Sequence, residues 1–571
     1  MKGKSTPPSC TNYAAQYASR LFAKIKLSKS ILAGIILLLV YLYFCRYLFP
    51  TQLIESDNLG LNETLIYQYY VEKALTAPTV SVDLICGNRC HLFQAPFFLL
   101  LYRFVSLFKL KADLLFLSQL LICIFGAAGV LLFYCLQIRV FKDPFSAFLS
   151  SAILGFGYGF WIFNILTKPY QISYFFMILA LLLYVFYPNY RGAFFSSLAS
   201  AMAVGFSLVA IPFLGIMVLY IMVNRNVFFV KITQSVLYVF SAVGFFILSY
   251  FALAIPIVGT HRLAPAASYL WRFLEMINYN AYFRNKQALS SFFSMLGNNL
   301  LLSQICLPFE SRCNFIVKFL LIAILGLFLY MFFRHFKYFW SAHREKIILA
   351  LAWPGFFIIA ILLIDARNAF IYVWPLGTIL LLGGISSYSR FGRILLMILV
   401  SLIFMLNFSV ISACHKPVPS AEDCKKLEAE NVISKGDCIL VKEDNIGDYR
   451  IGCDDFLQYY FRLDMIGIDV TGDNYENFNK LIAGRLPDEV VLKIMEAIKK
   501  GKRVFFNKTV FEEKVNPAGR ERFLDAFMPL FTIKDAFVLH NLHNSITYVR
   551  FYIRNPRSPR VAPLPACGGA R

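Results

Sequence analysis

Long apolar runs alternate with short polar turns along residues 30–412, and the pattern changes at Ala413. The first run, Ser30 to Phe49, is about 20 residues long, which is enough to cross a hydrocarbon core of about 30 Å. Cys45 and Arg46 stand where a cleaved signal peptide would have small residues, so we interpret this run as an uncleaved anchor. With the anchor, the later runs predict about eleven spans. The later runs are Leu114 to Leu136, Phe145 to Phe163, Ile172 to Tyr187, Phe194 to Ala210, Phe213 to Val223, Ile232 to Ile255, Phe315 to Phe333, Ile347 to Ile364, Phe370 to Ile385 and Ile394 to Ile411.

One apolar segment, Ala95 to Phe108, is about 14 residues long and contains Arg103. A helix of that length does not span a bilayer easily, so we predict an amphipathic helix that lies flat in the interface. If it did span, every later loop would change sides. The two short runs that meet at Pro212 predict either two spans or one kinked or re-entrant unit.

From residue 413 onward, charged residues return and the apolar runs shrink to strand length. Gly436 to Val441, Met465 to Val470 and Lys502 to Phe506 predict buried strands, and Ile546 to Arg554 predicts an alternating one. Helical periodicity lies between the first three strands, and Gly501 closes the second helical segment. Alternating strands and helices indicate a small α/β domain.

This domain contains no Gly-rich phosphate loop, no nucleophile elbow and no metal cluster in its sequence. His540 and His543 would share one face of a helix, but two histidines alone are a weak ligand set. We therefore expect the domain to cover a membrane site or to bind an acceptor.

The composition is that of an integral membrane protein. The chain has 58% hydrophobic and 15% charged residues, whereas soluble globular proteins have about 25% charged residues. The net charge of +22 does not indicate a nucleic-acid partner, because no nucleic-acid-binding motif accompanies it. Positive-inside topology and attraction to anionic headgroups account for it, and the basic residues before Ser30 predict a cytoplasmic N-terminus. The turns then predicted inside hold Arg139 and Lys142, Arg191, Arg225, Arg334 with Lys337, Arg344 and Lys346, and Arg390 with Arg393.

The 13 cysteines give a second indication of sidedness. Two closely spaced pairs, Cys86 with Cys90 and Cys306 with Cys313, lie on the side predicted to be external, where an oxidising compartment favours disulfides. Free thiols are the alternative, and zinc is disfavoured because no histidine joins the pairs at finger spacing. The other cysteines on that side are Cys414, Cys424, Cys438 and Cys453.

The stretch from Ile54 to Phe98 is an acid-bearing loop of about 45 residues, and loops of that length are usually functional or disordered. It reads S-D-x-x-x-x-x-E-x-x-x-Y and then H-x-F-x-x-P, followed by FFLLLYRFVSLF. With the segments Phe163 to Tyr184 and Asp365 to Leu382, this layout resembles the GT-C superfamily of lipid-linked glycosyltransferases. The resemblance is to its protein O-mannosyltransferase and lipid A aminoarabinose transferase branches and covers most of residues 30–412. The His-Pro-Pro usual in those branches is absent after His91.

The resemblance implies an enzyme that uses a polyprenyl-phosphate sugar at the outer face of a membrane. A hydroxyl acceptor loses its proton as it attacks the anomeric carbon, so a carboxylate is a suitable general base. Asp57 stands at the position that matches the family's acid, and Glu55 is the reserve candidate. Capping of a helix that starts near Asn58 is the alternative role for either one. Glu63 and Glu72 are interpreted as solvated.

The leaving lipid phosphate requires cations that stay charged at the interface. Lys168 and Arg367, at two outer span ends, are the predicted phosphate partners, and Arg262 in the large external loop is a weaker one. Snorkelling to headgroups is the alternative for Lys168, and an ion pair with Asp365 is the alternative for Arg367.

Two further residues of the acidic loop, Asp83 and His91, are weak candidates for binding the acceptor or a divalent cation. The alternative for His91 is a structural role. No other cofactor is predicted.

The sequence thus predicts a polytopic α-helical membrane protein with a C-terminal extracytoplasmic α/β domain, located in a bacterial inner (plasma) membrane. Its predicted partners are a polyprenyl-phosphate-linked sugar, membrane lipids and a glycan, lipid or protein acceptor. The alternatives are a transporter or flippase of lipid-linked sugars, and an inactive relative that serves as a scaffold subunit. The predicted segments are a basic cytoplasmic N-terminus at 1–29, a transmembrane domain at 30–412 with external loops 50–94 and 257–314, the α/β domain at 413–556 and a disordered tail at 557–571.

Overall fold

The chain falls into two compact units, a helical unit within residues 31–414 and a sheet unit within residues 425–553. The computed structural model describes residues 31–45, 92–108, 114–165, 169–207, 210–224, 227–258, 313–337, 340–341, 344–345, 347–350, 352–353, 356, 375–414, 425–443, 461, 463–469, 488–507, 531–540 and 545–553.

Apolar helices build the helical unit, and their bounds follow the predicted runs closely. In chain order they are α1 (Ile31–Cys45), α2 (Gln94–Leu107), α3 (Leu114–Phe141), α4 (Pro144–Phe156), α5 (Tyr158–Ile165), α6 (Tyr170–Phe186), α7 (Tyr190–Phe206), α8 (Ile211–Val223), α9 (Phe228–Val258), α10 (Cys313–Arg334), α11 (Pro375–Ser387) and α12 (Arg390–Cys414). Within the described residues, three helices are long and apolar enough to cross a membrane, and they belong to α3, α9 and α12. The predicted run Phe145 to Phe163 is broken into α4 and α5 at Gly157.

The turns predicted to be basic come together at one end of the helical unit. Asp143 precedes α4, where its carboxylate accepts a hydrogen bond from the Ser146 hydroxyl at 2.6 Å. The same carboxylate pairs with Arg393 at the start of α12, with 3.1 Å between Nε and Oδ2. The guanidinium of Arg139, in the last turn of α3, lies 5.3 Å from the ring centroid of Phe186 at the end of α6. We call this end of the unit the basic end.

Further contacts place three more helix termini at the basic end. The Tyr184 hydroxyl donates to Oε1 of Gln234 at 3.0 Å, and it accepts from Nδ2 of Asn224 at 3.3 Å. The end of α8 and the start of α9 therefore lie beside the end of α6. Arg393 also donates to the carbonyl of Ser387 at 3.4 Å, so α11 ends there too. Neighbouring long helices thus run in alternating directions, as expected for a chain that crosses a bilayer repeatedly.

The opposite end, which we call the far end, holds the end of α1 and the start of α2. The Asn164 side-chain amide, near the end of α5, donates to Sγ of Cys45 at 3.3 Å. Phe93, just before α2, is buried in an apolar cluster with Ile172 of α6. Its backbone N–H donates to the carbonyl of Gly205 near the end of α7, at 3.0 Å.

The helix α2, predicted to lie in the interface, does not carry the chain to the basic end. The next helix, α3, reaches the basic end at Arg139, and its residue Ile122 packs in the same far-end cluster as Phe93. The chain is therefore at the far end both before and after α2, and the sides assigned to the later loops stay a prediction. The orientation of α2 relative to the membrane plane stays a prediction.

The sheet unit contains a five-stranded mixed sheet in the order β2-β1-β3-β5-β4. Its described elements are β1 (Cys438–Glu443), β2 (Asp464–Asp469), α13 (Asp488–Lys499), β3 (Val504–Asn507), β4 (Phe531–His540) and β5 (Ser545–Ile553). β1 pairs in parallel with β2 and β3, and β5 pairs antiparallel with β3 and β4. α13 buries Val490, Ile494 and Ala497 at helical spacing, and Gly501 follows it with φ of +79°, a conformation that favours glycine.

An ion pair joins the residues that immediately precede β1 and β3. The Asp437 side chain is 8% exposed, and its Oδ2 lies 2.8 Å from Nε of Arg503. The backbone N–H of Arg503 donates to Oδ1 at 2.9 Å, and the N–H of Ser434 donates to Oδ2 at 2.8 Å. A second ion pair, Lys502 with Asp464, joins β3 to β2, and its hydrogen bond raises the pKa of Lys502.

The strand β4 is not among the strands predicted from the sequence. Lys534 and Asp535 interrupt its apolar pattern, and the pairing with β5 changes register between Ile533 and Ala536, as at a bulge. His540 is the last residue of β4, so the suggestion that it shares a helix face with His543 is wrong. His543 itself lies outside the described residues.

Candidate functional site

The catalytic and binding residues predicted from the sequence all lie outside the described residues. They are Glu55, Asp57, Asp83, His91, Lys168, Arg262 and Arg367. The structure nevertheless describes the helix ends on either side of their segments, and these ends define where the chain enters and leaves each segment.

Two of these segments start and finish at the far end. The segment that contains Asp57 and His91 follows Cys45 and precedes Phe93, both of which are buried there. The segment that contains Lys168 lies between the end of α5 and the start of α6, which hold Asn164 and Ile172 at the far end.

The segment of Arg262 also adjoins a helix terminus at the far end, because Tyr250 and Ala254 near the end of α9 pack in the same cluster as Phe93. α9 starts at the basic end and runs to Val258, shortly before Arg262. α11 ends at the basic end with Ser387, and its first residue, Pro375, is about 18 Å of helix away. Arg367 precedes Pro375 by less than ten residues in the sequence. Six of the seven predicted residues, all except Arg367, therefore belong to segments that meet the helical unit at its far end, and the segment of Arg367 precedes a helix that runs toward the basic end.

Buried polar side chains gather at the far end around Phe160. This far-end cluster consists of Tyr41, Cys45, Asn164, Gln171 and Tyr174, each at most 2% exposed. The ring centroids of Tyr174 and Tyr41 lie 5.5 Å and 6.4 Å from that of Phe160. Polar groups are costly to bury in an apolar environment without hydrogen bonds, so such a cluster inside a helical membrane unit is a candidate site.

Several polar atoms of this region have no hydrogen-bond partner among the described residues. They are Oδ1 of Asn164, Oε1 of Gln171, the hydroxyls of Tyr41 and Tyr174, and the indole N–H of neighbouring Trp161. Each buried polar atom left unpaired costs about 1–3 kcal/mol. The cluster and Trp161 thus offer two amide oxygens, two hydroxyls and an N–H that could bond to a bound ligand.

Asn164 is fixed by close packing of α5 on α1 and α3. A Cβ atom at Gly126 of α3 would overlap the Asn164 side chain, so only glycine permits this approach. The amide nitrogen of Asn164 bonds to Cys45 of α1 at the same time. Three helices therefore determine where this amide lies.

The break between α4 and α5 is stabilised by side chains from distant helices. Gly157 adopts φ −59° and ψ 135°, which interrupts the helix. The carbonyl of Phe156 accepts from Nδ2 of Asn407 in α12 at 2.8 Å, and that of Phe160 accepts from Nε2 of Gln171 at 2.6 Å. Irregular backbone is tolerated at membrane depth only where its polar groups are satisfied within the protein. The short helix α5 that follows carries Trp161 and Asn164 at the far end.

The carboxylates of the helical unit are distributed unevenly. Within its described residues there are two, Asp143 and Glu345, and both lie at the basic end. Among the described residues of the helical unit, the far end holds no carboxylate, and the predicted bases Asp57 and Glu55 lie outside the described residues. The far-end cluster itself holds amides, hydroxyls and thiols, which can position groups but are poor proton acceptors at neutral pH.

Neither a metal centre nor a disulfide is found in the part of the chain that the structure describes. Cys45, Cys123, Cys135 and Cys438 are free thiols, and no three His, Cys, Asp or Glu side chains stand close enough to hold a metal ion. Asp83 and His91, and the predicted disulfide pairs, lie wholly or partly outside the described residues.

The sequence interpretation missed Asn164 and Gln171 as site residues. The signal was present, since both are amides inside the mainly apolar segment Phe163 to Tyr184, and a polar residue within a span is a functional candidate by default. Only the folded chain brings Asn164 to Cys45 of α1 and Gln171 to the carbonyl of Phe160.

No protein-family model and no curated protein sequence matches this chain. Solved structures do match it. The oligosaccharyltransferase of Archaeoglobus fulgidus in complex with Zn and sulfate has a TM-score of 0.48 at 12% identity, covering 83% of this chain and 68% of that one. ArnT from Cupriavidus metallidurans bound to undecaprenyl phosphate has a TM-score of 0.49 at 11% identity, covering 90% of this chain and 97% of that one.

Both are GT-C superfamily membrane glycosyltransferases, the superfamily that the sequence pattern resembles.

Proposed function

We propose that the protein is a membrane glycosyltransferase that moves a sugar from a polyprenyl-phosphate donor to an extracytoplasmic acceptor. The observation that carries the proposal is that the segments of Asp57, Lys168 and Arg262 all adjoin the far end, while the segment of Arg367 precedes a helix that runs toward the basic end. The positive-inside rule assigns the opposite, basic end to the cytoplasm of a bacterial inner membrane. The predicted base and the predicted cations then share the extracytoplasmic side, where the sheet unit would bind the acceptor or cover the site.

In the proposed reaction, the acceptor hydroxyl attacks the anomeric carbon from the side opposite to the phosphate, so the configuration inverts. Asp57 takes the hydroxyl proton as the new C–O bond forms, with Glu55 as the reserve base. The bond from the anomeric carbon to the phosphate oxygen breaks, and the polyprenyl phosphate leaves with the electron pair. Lys168 and Arg367, with Arg262, stabilise the charge that develops on this phosphate.

Substitution of the base tests the proposal. We expect Asp57→Asn to lower sugar transfer at least about 100-fold, because general bases contribute about 10²–10⁴-fold. The measurement uses the full chain in proteoliposomes with a radiolabelled polyprenyl-phosphate sugar and a membrane extract as the source of acceptor. Glu63→Gln, in the same loop, is the matched control and should retain activity. Full transfer by Asp57→Asn would remove Asp57 from its role.

The same assay addresses the cations and the metal. Lys168→Gln and Arg367→Gln should each lower transfer roughly 100-fold if they stabilise the leaving phosphate. Unchanged kinetics with the lipid donor would contradict that assignment. A divalent cation bound by Asp83 and His91 would be supported if chelation abolished transfer and Mg²⁺ or Mn²⁺ restored it.

A second function, translocation of a lipid-linked sugar, is favoured by the broken helix at Gly157. Broken helices often form the substrate sites of transporters. Translocation would move the labelled lipid across the proteoliposome membrane without labelling an acceptor. If neither transfer nor translocation occurs, the scaffold interpretation is favoured.

A further inference from the structure

A cavity of about 610 Å³ opens at the basic end, opposite to the proposed reaction site. It lies between the end of α8, the start of α9, residues 340–341 and residues 344–345. Its polar lining consists of Asn224, Lys231, Ser341, Arg344 and Glu345. None of these residues has a part in the proposed glycosyl transfer.

The cavity carries more positive than negative charge. Two cations, Lys231 and Arg344, line it against one carboxylate, that of Glu345. Among the described residues, neither cation forms an ion pair. The guanidinium of Arg344 lies over the Trp340 ring, 5.7 Å from its centroid, which orients the guanidinium plane. An oriented arginine fork beside a lysine is suited to bind phosphate oxygens.

An apolar surface adjoins the cavity on α9. Val227, Phe228 and Phe229, just before Lys231, are between 64% and 79% exposed. α9 is also among the helices apolar enough to span a bilayer. Further exposed apolar residues follow at helical spacing and form a stripe along it. The stripe consists of Val236, Phe240, Val243 and Ile247.

We propose that the cavity binds the phosphate headgroup of an anionic membrane lipid, whose acyl chains lie along the α9 stripe. The cation pair recognises the phosphate, Asn224 and Ser341 supply polar contacts, and the Trp340 ring lies at the level of the headgroup, where tryptophan is enriched in membrane proteins. A free phosphate would use the cations but not the stripe, so the combination favours a lipid. This site is distinct from the donor site and does not depend on the proposed function.

Native mass spectrometry of the full chain, transferred from nanodiscs that contain phosphatidylglycerol and phosphatidylcholine, tests the proposal. The chain should retain phosphatidylglycerol preferentially, and the double variant Lys231→Gln/Arg344→Gln should bind it at least roughly tenfold more weakly. The matched control, Arg191→Gln/Arg390→Gln, removes two exposed charges at the same end outside the cavity and should leave retention unchanged. Equal losses in both double variants would indicate general attraction by the basic end and overturn the site.

A measurement on the unchanged chain keeps the proposal testable if the double variant does not fold. Phosphatidylglycerol brominated on its acyl chains near the headgroup should quench tryptophan fluorescence more than brominated phosphatidylcholine, and Trp340→Phe should remove the difference. Equal quenching by both lipids would refute a specific headgroup site. Inorganic phosphate is the third arm of the experiment. If millimolar phosphate does not relieve the quenching by the brominated lipid, a lipid ligand is supported. If phosphate binds the chain and the brominated lipid does not, the proposal of a lipid ligand is refuted.

Discussion

Gly126 and Asn164 pack against each other so closely that no room is left for a methyl group at position 126. Because the Asn164 side chain is fully buried, it cannot move away into solvent. We therefore expect Gly126→Ala to destabilise the helical unit by about 1–3 kcal/mol through overpacking. Thermal unfolding of the full chain in detergent measures this loss.

Two substitutions serve as controls for this effect. Gly326→Ala in α10 introduces a methyl group that meets nothing within 4 Å, so it should be neutral or slightly stabilising. Asn164→Ala in the Gly126→Ala background should restore part of the lost stability, because the overlapping side chain is gone. If Gly126→Ala were as stable as Gly326→Ala, the close packing of α3 on α5 would be contradicted.

The thiol of Cys438 in β1 should be unreactive in the folded chain. Burial raises the pKa of this thiol to about 11. A raised pKa keeps the thiol protonated, so at pH 8 its thiolate fraction is about 100-fold below that of an ordinary cysteine. We expect N-ethylmaleimide labelling of Cys438 at pH 8, followed by peptide mapping, to be about that much slower in the folded chain than in urea. Rapid labelling at pH 8 would contradict the burial.

At the scale of elements, the Asp437–Arg503 pair joins β1 to β3. Asp437→Asn would leave the guanidinium, whose side chain is 15% exposed, without its counter-charge, at a cost of about 3 kcal/mol. Amide hydrogen exchange of the full chain should then accelerate about 100-fold in 438–443 and 504–507. The control is Glu489→Gln, which breaks a solvent-exposed pair with Lys493 on α13 and should leave exchange unchanged.

The elements that could be predicted from the sequence are those whose signal is local. Long apolar runs predict helices, and short apolar runs predict β1, β2, β3 and β5. Such a run indicates a buried element whichever element packs against it. The break at Gly157 was missed because the run Phe145 to Phe163 is apolar throughout and the stabilising amide, Asn407, lies in a distant helix. β4 was missed because its two central polar residues fall at a register shift, which only the pairing with β5 reveals.

Some residues of the candidate site could likewise be predicted from the sequence, and others could not. Its acidic and basic candidates, such as Asp57 and Lys168, were inferred from position and resemblance, and they remain predictions. Asn164 and Gln171 were not inferred, because their burial depends on contacts between helices that are separated in the sequence. Local patterns thus predict candidate residues for the site, whereas the buried polar cluster at the far end could be recognised only in the fold.

At the scale of the helical unit, charge and helix direction give one consistent topology. The ion pair of Asp143 with Arg393 and the packing of Arg139 on Phe186 bring widely separated turns to the same end. The segments of Asp57 and Lys168 adjoin the other end, and they lie on opposite sides of α2 in the sequence. A bilayer between the two ends would therefore separate Arg191 from both Asp57 and Lys168.

Accessibility of single added cysteines tests this topology. We expect Asp57→Cys and Lys168→Cys to react with a membrane-impermeant maleimide in sealed right-side-out vesicles, and Arg191→Cys to react only after the vesicles are permeabilised. Peptide mapping distinguishes the added thiol from the 13 native cysteines. The pair at 57 and 168 is decisive for α2: if α2 crossed the bilayer, these two positions would be labelled from opposite sides. Labelling of both from the same side as Arg191 would contradict the alternation of helices and remove the physical basis for an extracytoplasmic site.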